Sequence, residues 1–323
     1  MKAVVRKEYG GPEVLVLREV DRPVPGAGEV LIEVRAFGLN RAELYMRRGE
    51  WGDAAAISGI ECVGVVAVDP SGRLAPGQTV MACMGGMGRT VNGSYADYVV
   101  VRHENVISID SNLDWAALAV LPESYAVAWT CLHGNLALRP GQRLLVRGGT
   151  SSLGLAAIDL ALQLGAQVYA TTRQTAHKAG LLEAGVEQAI VAEGALAGAG
   201  WDDELFDAVL DLVGNSTVFD SMRATRPGGR VCLAGFLGGM APIEGFNPLS
   251  QMPSGVHLSF FGSFEFGGAN FPLSAVPMQR IVRMVEAGRL RPRAGKAFGL
   301  DQLPAAHALM ERNAACGKLV VVR

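Results

Sequence analysis

The sequence predicts an α/β chain, with a doubly wound parallel sheet inserted into a β-rich domain. Two patterns and the size carry this. Up to about residue 120 the chain runs in short apolar segments punctuated by Gly and Pro, whereas from Arg143 to about Phe261 short β-branched runs alternate with helix-compatible spacers. The 323 residues, 50% hydrophobic and 19% charged, suffice for two domains with buried cores and exclude intrinsic disorder.

In the first part, the turn from Pro23 to Gly28 leads into the alternating Val30-Leu31-Ile32-Glu33-Val34. Pro76-Gly77-Gln78 precedes Thr79-Val80-Met81, and Gly93-Ser94 precedes an apolar run from Tyr95 to Val101. Closely spaced short strands of this kind make a compact β domain. The pattern changes near Pro122. Leu144-Leu145-Val146 is a buried strand, followed by Leu155, Ile158, Ala161 and Leu162 at helical spacing, with Asp159 and Gln163 on the opposite side. Five more strands follow: Gln167 to Thr171, Ala189 to Val191, Phe206 to Leu212, Arg230 to Ala234 and Val256 to Phe261. Such runs with helical spacers imply right-handed crossovers and a parallel sheet. The Ala/Gly stretch from Glu193 to Gly200 reads as a loop. Polar helices (Val276 to Glu286, Gln302 to Asn313) and a last strand, Lys318 to Val322, should return to the first domain, because the parallel sheet is already complete. The predicted division is residues 1–122 with 263–323 as a catalytic domain and residues 123–262 as a dinucleotide-binding domain.

Charge and composition narrow the function. A net charge of −2 provides no basic field for nucleic acid or an anionic membrane. Apolar stretches such as Val63 to Val68 fall far short of a bilayer span, and Met1 leads into Lys2, Arg6, Lys7 and Glu8 rather than an apolar signal. The five cysteines (Cys62, Cys83, Cys131, Cys232, Cys316) form no C-x-x-C pair and suit a reducing cytoplasm. A cytoplasmic protein is expected.

Arg147-Gly148-Gly149-Thr150-Ser151-Ser152-Leu153-Gly154 joins the first parallel strand to the first helix. Gly149 and Gly154 take the outer positions of a G-x-G-x-x-G turn, with Ser151 in the middle, where its hydroxyl is a candidate phosphate donor. Such a turn aims helix N–H groups at a pyrophosphate, and its last glycine lets helix and strand approach. An acid about 20 residues later would hold the ribose of NAD. Here the second strand ends Thr171-Thr172-Arg173-Gln174 and no acid appears until Glu183. Thr172, Arg173 and Lys178 instead suit a 2′-phosphate, which points to NADPH.

Further segments extend these signals. Pro23-Val24-Pro25, Gly28-Glu29-Val30-Leu31-Ile32, Gly38-Leu39-Asn40-Arg41-Ala42-Glu43 and Gly59-Ile60-Glu61-Cys62-Val63-Gly64 are four of them. Gly93-Ser94-Tyr95-Ala96-Asp97-Tyr98 and Gly317-Lys318-Leu319-Val320 are two more. Together with the glycine turn they resemble the medium-chain dehydrogenase/reductase superfamily over essentially the whole chain, most closely its zinc-independent quinone oxidoreductase branch. The resemblance implies a Rossmann domain inserted into a GroES-like catalytic domain. It also implies a homodimer, or a homotetramer, formed through the Rossmann edge strand from Val256 to Phe261.

Zinc alcohol dehydrogenases of that superfamily hold catalytic zinc with Cys, His and Cys. The corresponding residues here are Asn40, Ile60 and Glu123, a donor set that should hold no metal. Without zinc, the resemblance directs attention to Asn40, Glu43 and Tyr45 as catalytic residues. Asn40 would bond the nicotinamide ribose or a substrate oxygen, and Glu43 would orient it. Tyr45 would be a proton donor or a packed aromatic. Glu61 is expected behind the site. Glu123 reads as a capping residue of the helix starting near Ser124. Analogy also places Thr150, Ser152, Leu153, Gly235, Phe236, Leu237, Phe261, Gly262 and Lys318 against the cofactor, with an apolar slot from Phe260, Phe264, Trp51 and Met46. The expected activity is metal-free, NADPH-dependent hydride transfer to a quinone or an α,β-unsaturated carbonyl, a small apolar substrate. Two alternatives stand beside it: an enoyl-thioester reductase of the same superfamily, and a non-catalytic NADPH-binding protein.

Overall fold

The computed structural model of the chain describes residues 1–52, 54–196, 204–313, 315 and 317–323. Within them the chain divides into two compact units, Met1–Ala126 with Ser263–Arg323, and Val127–Gly262.

The N-terminal strands follow the alternation of apolar residues with turns. β1 (Lys2–Arg6) and β2 (Leu15–Glu19) form an antiparallel pair. β3 (Glu29–Gly38), β4 (Glu61–Val68), β5 (Thr79–Cys83), β6 (Tyr98–Arg102) and β7 (Val106–Ser108) make most of a second sheet. β3 pairs with both β4 and β6, so its Val30, Leu31, Ile32, Val34, Ala36 and Phe37 are all buried. Helix α1 (Arg41–Arg48) follows β3, and α2 (Trp115–Leu118) and α3 (Pro122–Thr130) follow the strands.

The helical run Trp115–Asn135 spans 21 residues and is apolar enough to cross a membrane, although the sequence offered no uninterrupted apolar stretch of that length. It is 67% buried within the protein, as a core helix is.

In the second unit, β8 (Arg143–Arg147), β9 (Gln167–Thr172), β10 (Gln188–Val191), β11 (Phe206–Asp211), β12 (Thr225–Leu233) and β13 (His257–Phe260) form one parallel sheet. Its order is β10-β9-β8-β11-β12-β13, so the winding reverses between β8 and β11. In open α/β sheets ligands bind at that switch point, beyond the carboxyl ends of the strands. The helices are α4 (Ser152–Leu164), α5 (Lys178–Glu183), α6 (Val218–Arg223) and α7 (Pro248–Gln251). The buried face of α4 is Ala156, Ala157, Ile158, Leu160 and Ala161, while Leu155 and Leu162 are only half-buried. Three alanines with Ile158 and Leu160, rather than Leu155 and Leu162, therefore make up its buried face. Leu145, Phe206, Val209, Met222 and Val231 form the core of this unit. Of the expected Glu193 to Gly200 loop, residues 197–200 lie outside the described residues; the preceding four form no helix or strand.

The tail adds α8 (Met278–Glu286), β14 (Ala294–Phe298), α9 (Leu303–Glu311) and β15 (Lys318–Val322). β15 returns to the N-terminal sheet and pairs antiparallel with β3, Val320 opposite Gly38 and Val322 opposite Ala36. Continuing that register by two residues sets Lys318 across from Asn40, a pairing between residues 278 apart in sequence. Four of the cysteines, Cys62, Cys83, Cys131 and Cys232, are buried and in no disulfide; Cys316 lies outside the described residues.

Candidate active site

Each unit carries one group of chemistry-bearing residues. In the parallel-sheet unit, the loop after β8 uses three glycines in three ways. Gly148 has φ +79°, a left-handed conformation that favours glycine. A Cβ on Gly149 would lie 2.7 Å from Ala170 Cβ on β9, and one on Gly154 would lie 2.5 Å from the Gly148 carbonyl oxygen. These positions are a cradle that any side chain would fill. Gly148 itself was not singled out by the G-x-G-x-x-G reading, because it precedes the motif.

Ser151 caps α4. Its Oγ accepts from the Gly154 N–H at 3.0 Å and donates to the Gly148 carbonyl at 2.8 Å. The expectation that this hydroxyl serves a phosphate is therefore corrected: its proton already belongs to Gly148. The peptide N–H groups of Ser152 and Leu153 occupy the first turn, where a helix has no acceptors of its own, and Thr150 lies just before the cap. Thr172 departs from expectation similarly. It is 4% exposed, and its Oγ1 accepts from the Gln174 N–H at 3.2 Å. Arg173 and Lys178 are exposed beside it, so the positive charge at the end of β9 faces solvent.

Two residues that the sequence reading missed fix the neighbouring loops. Asp211 ends β11 fully buried, and its carboxylate accepts from the N–H groups of Val213 and Gly214 and the hydroxyls of Thr217 and Ser221. Arg147 ends β8 at 2% exposure and donates to Asp220 at 2.6 Å and to the Gly194 carbonyl. Neither has a local spacing that announces it. After β12, the Leu237 N–H bonds Leu212 O at 3.0 Å, and its side chain lies over Gly148. Gly235 and Phe236 belong to the same loop. Phe261 is 2% exposed, which corrects its reading as a ring against the cofactor: Phe260, at 49%, is the exposed phenylalanine of this segment, and Gly262 is half-buried.

The other unit holds a buried polar cluster where β3, β4, β15 and the start of α3 meet. Glu61, fully buried, is its centre. Its Oε1 accepts from Asn40 Nδ2 at 2.8 Å and faces Lys318 Nζ at 2.7 Å, while its Oε2 accepts from the Glu123 N–H at 2.8 Å. Lys318 Nζ also donates to Asn40 Oδ1 at 2.6 Å and to Ser124 Oγ at 3.2 Å. All three ammonium protons thus have acceptors. Burial opposes the charge of Lys318, but Glu61 and Glu123 outweigh it and hold its pKa above the ordinary value. At 1% exposure Lys318 offers no donor outward, which corrects its assignment to direct cofactor contact. Gly38 explains how the pair fits. A Cβ there would collide with Lys318 Cε and lie 2.7 Å from Glu61 Oε1 and 2.9 Å from Ala119 O.

Glu43 is fully buried in α1. Its carboxylate reaches back to the Asn40 N–H at 2.8 Å, accepts from the Ile60 N–H at 3.0 Å and from the Tyr95 hydroxyl at 2.7 Å. Burial pushes its pKa up to about 7 against these donors. It holds the Asn40 backbone without reaching solvent. The chain continues inward: Tyr95 Oη lies 2.9 Å from His307 Nε2, and Arg47 Nη1 lies 3.1 Å from His307 Nδ1. Arg47, itself fully buried, pairs with Glu311.

Tyr45 is 8% exposed and stacks on Trp51 with ring centroids 6.4 Å apart. Burial raises its phenol pKa above the ordinary value, which favours the packed aromatic over the proton donor. Met46 is 1% exposed and belongs to the core, not to a slot. The Arg89 guanidinium bridges two other rings, 5.8 Å from Trp51 and 5.0 Å from Phe264.

Comparison with known proteins agrees with both units. The alcohol dehydrogenase GroES-like domain pattern matches residues 26–111, and a pattern described as zinc-binding dehydrogenase matches residues 184–321. The quinone oxidoreductase of Mus musculus is 27% identical over 340 residues, spanning 100% of this chain and 98% of its own. The chain belongs to the medium-chain dehydrogenase/reductase superfamily. Its full-length relatives set it in the quinone oxidoreductase branch, among oxidoreductases. The solved fold is shared with a quinone oxidoreductase of Pseudomonas syringae, at TM-score 0.88 and 21% identity over 100% of this chain and 99% of that one. An Escherichia coli quinone oxidoreductase complexed with NADPH superposes at TM-score 0.86 and 19% identity over 100% of each chain.

The zinc named in one of these descriptions does not suit the side chains present. Both ends of the Asn40 amide are engaged, Ile60 has no donor atom, and Glu123 is a single carboxyl. Among the described residues no three His, Cys, Asp or Glu gather as a metal set. The buried cation of this cluster is the Lys318 ammonium.

Proposed function

We propose that this superfamily member is an NADPH-dependent, metal-free reductase of quinones or α,β-unsaturated carbonyls. The observation that carries the reading is the glycine cradle at the head of the six-stranded parallel sheet, followed by Arg173 and Lys178 where an NAD-type site would place an acid. NADPH, when bound, supplies the hydride. The protein's own part is to hold its pyrophosphate at the first turn of α4 and its 2′-phosphate between Arg173 and Lys178. The loop from Gly235 to Leu237 borders the same cradle. In the other unit, Asn40, held in place by Glu61 and Lys318, is the residue to orient the ribose or the substrate oxygen. Tyr45, Trp51, Phe264 and Arg89 offer a flat aromatic wall carrying one positive charge, which suits a conjugated carbonyl. The reading includes a cytoplasmic homodimer joined through β13, the sheet's edge strand, whose Leu258 and Phe260 are exposed at 37% and 49%.

Fluorescence titration with NADPH and NADH, followed by NADPH oxidation with a panel of quinones and enones, tests this directly. Each charge-assisted contact to the 2′-phosphate is worth about 1.5–3 kcal/mol. The Arg173→Ala variant should therefore raise the Kd for NADPH roughly ten- to hundredfold, Lys178→Ala less, and leave the Kd for NADH within about threefold. Equal losses for both cofactors would contradict the 2′-phosphate assignment. Metal analysis of the purified protein should find zinc well below one equivalent per chain; one tightly held equivalent would sink the metal-free reading.

A further inference from the structure

Reduction of a conjugated carbonyl needs a proton as well as a hydride, and the residues already described do not provide it well. Glu43 never reaches solvent, all three Lys318 protons are engaged, and Tyr45 is a packed phenol weaker as an acid than usual. One group of the cluster remains. Glu123 stands at the start of α3, at the position of a zinc ligand in zinc-dependent members of the superfamily, and it is half-buried rather than sealed. Glu61 holds Asn40 Nδ2 with one oxygen and the Glu123 N–H with the other, so a single carboxylate sets the two residues side by side. The Glu123 carboxyl bonds the half-buried Ser263.

We propose that Glu123 is the general acid of the reduction, giving its carboxyl proton to the substrate carbonyl oxygen as hydride reaches the conjugated carbon. This rests on the NADPH-reductase reading above. The balance is closed: hydride carries its electron pair from the nicotinamide C4–H bond to the substrate carbon, and the displaced π pair moves to oxygen. The Glu123 O–H bond would break as the substrate O–H bond forms, leaving NADP⁺, an enol and a carboxylate that regains its proton from water; from a quinone that enol is a hydroxy-dienone, which becomes the hydroquinone when its new C–H proton leaves to water and the second carbonyl oxygen takes one up.

The surroundings keep that proton available. Burial pushes the Glu123 pKa up to about 7, Lys318 on β15 lowers it, Glu61 on β4 raises it, and the Ser263 bond lowers it. Glu61 is already paired with Lys318, so it repels a second charge without leaving one uncompensated. Cys83 on β5 also faces the group; burial and then Glu123 hold its thiol well above its ordinary pKa, so it stays neutral. Glu43 on α1 acts on Lys318 from behind.

The test compares wild type, Glu123→Gln and Glu123→Asp with saturating NADPH and one quinone, from acid to alkaline pH. General acids contribute on the order of 10²–10⁴-fold. The wild-type rate should fall above about pH 7, where Glu123 ionises. Glu123→Gln should be slower by about a hundredfold or more and lose that alkaline fall, with NADPH affinity by fluorescence unchanged. Glu123→Asp should keep the fall at a reduced rate. Infrared spectroscopy of the cofactor-free protein provides a readout independent of turnover: two protonated-carboxyl bands, from Glu43 and Glu123, should disappear around pH 7 in wild type, and the Glu123 band alone should be missing from Glu123→Gln. An active Glu123→Gln with the wild-type rate and pH profile overturns this role alone, as does a wild-type spectrum without that band. A wild type that binds NADPH yet reduces nothing in the panel overturns the underlying reading and this role with it.

Discussion

Lys318→Met should be among the most destabilising single substitutions in the chain, lowering unfolding free energy by about 3–5 kcal/mol. The partner left behind, Glu61, is fully buried, and its Oε1 faces the ammonium at 2.7 Å. Methionine fills the stem's volume, so the loss is electrostatic rather than a cavity. The same change releases Asn40 Oδ1 and Ser124 Oγ from their donor, so turnover should fall together with stability. Glu61→Gln supplies the contrast. It removes the charge that holds the ammonium inside while keeping an oxygen for one of the donors. If the pair is a unit, the double variant Lys318→Met/Glu61→Gln should be more stable than the sum of the single losses predicts, by more than about 1 kcal/mol. Urea unfolding of the four proteins checks this. Strictly additive losses would mean that the two residues contribute independently and that the Gly38 opening serves some other contact.

This pair also shows what the sequence made legible and what it did not. The six parallel strands were readable because each is a short β-branched run between helical spacers, and the glycine turn because its spacing is local. The register that sets β15 against β3 is non-local: nothing near Lys318 shows that its ammonium lies between Asn40 and Glu61. Family analogy places Lys318 against the cofactor, and only its burial and its partners show that the ammonium faces inward. Ser151 and Thr172 were misread for a related reason. Short hydroxyl side chains bond their own backbone before they bond a ligand, and both do so here. Arg47, Tyr95 and His307 come from three distant segments, so their hydrogen-bonded chain had no spacing to betray it. The one available signal was Glu43 itself, a carboxylate that must be satisfied once its helix is buried.

That buried chain leads to the second large effect, the dependence of stability on His307. Arginine only donates, so His307 Nδ1 must accept from Arg47 at 3.1 Å. The neutral ring then carries its proton on Nε2, donates to Tyr95 Oη at 2.9 Å, and Tyr95 in turn donates to Glu43 at 2.7 Å. A second ring proton would sit at Nδ1 against the guanidinium. Burial first, and Arg47 second, accordingly push the His307 pKa down to about 3 from 6.5. Between those values the unfolded chain binds the proton and the folded one does not, so this residue's contribution to stability is full above about pH 6.5 and is lost as pH falls toward 3. Glu43 and Glu123 act in the opposite sense. Their folded values near 7 lie above 4.5, so the folded state takes up their protons first and their contribution grows as pH falls from 7 to 4.5. In wild type two such slopes oppose one, so these three groups together should make the protein modestly more stable as pH falls from 6.5 to 5. His307→Gln preserves an acceptor and a donor but cannot titrate. The variant should be less stable at pH 7, and its deficit should shrink by on the order of 1 kcal/mol for each pH unit below about 6.5. Urea titrations of both proteins at pH 7.5, 6 and 5 would show the two curves converging toward acid. Parallel curves would mean that His307 takes up its proton in the folded protein, and the donor order from Arg47 to Glu43 would have to be reversed.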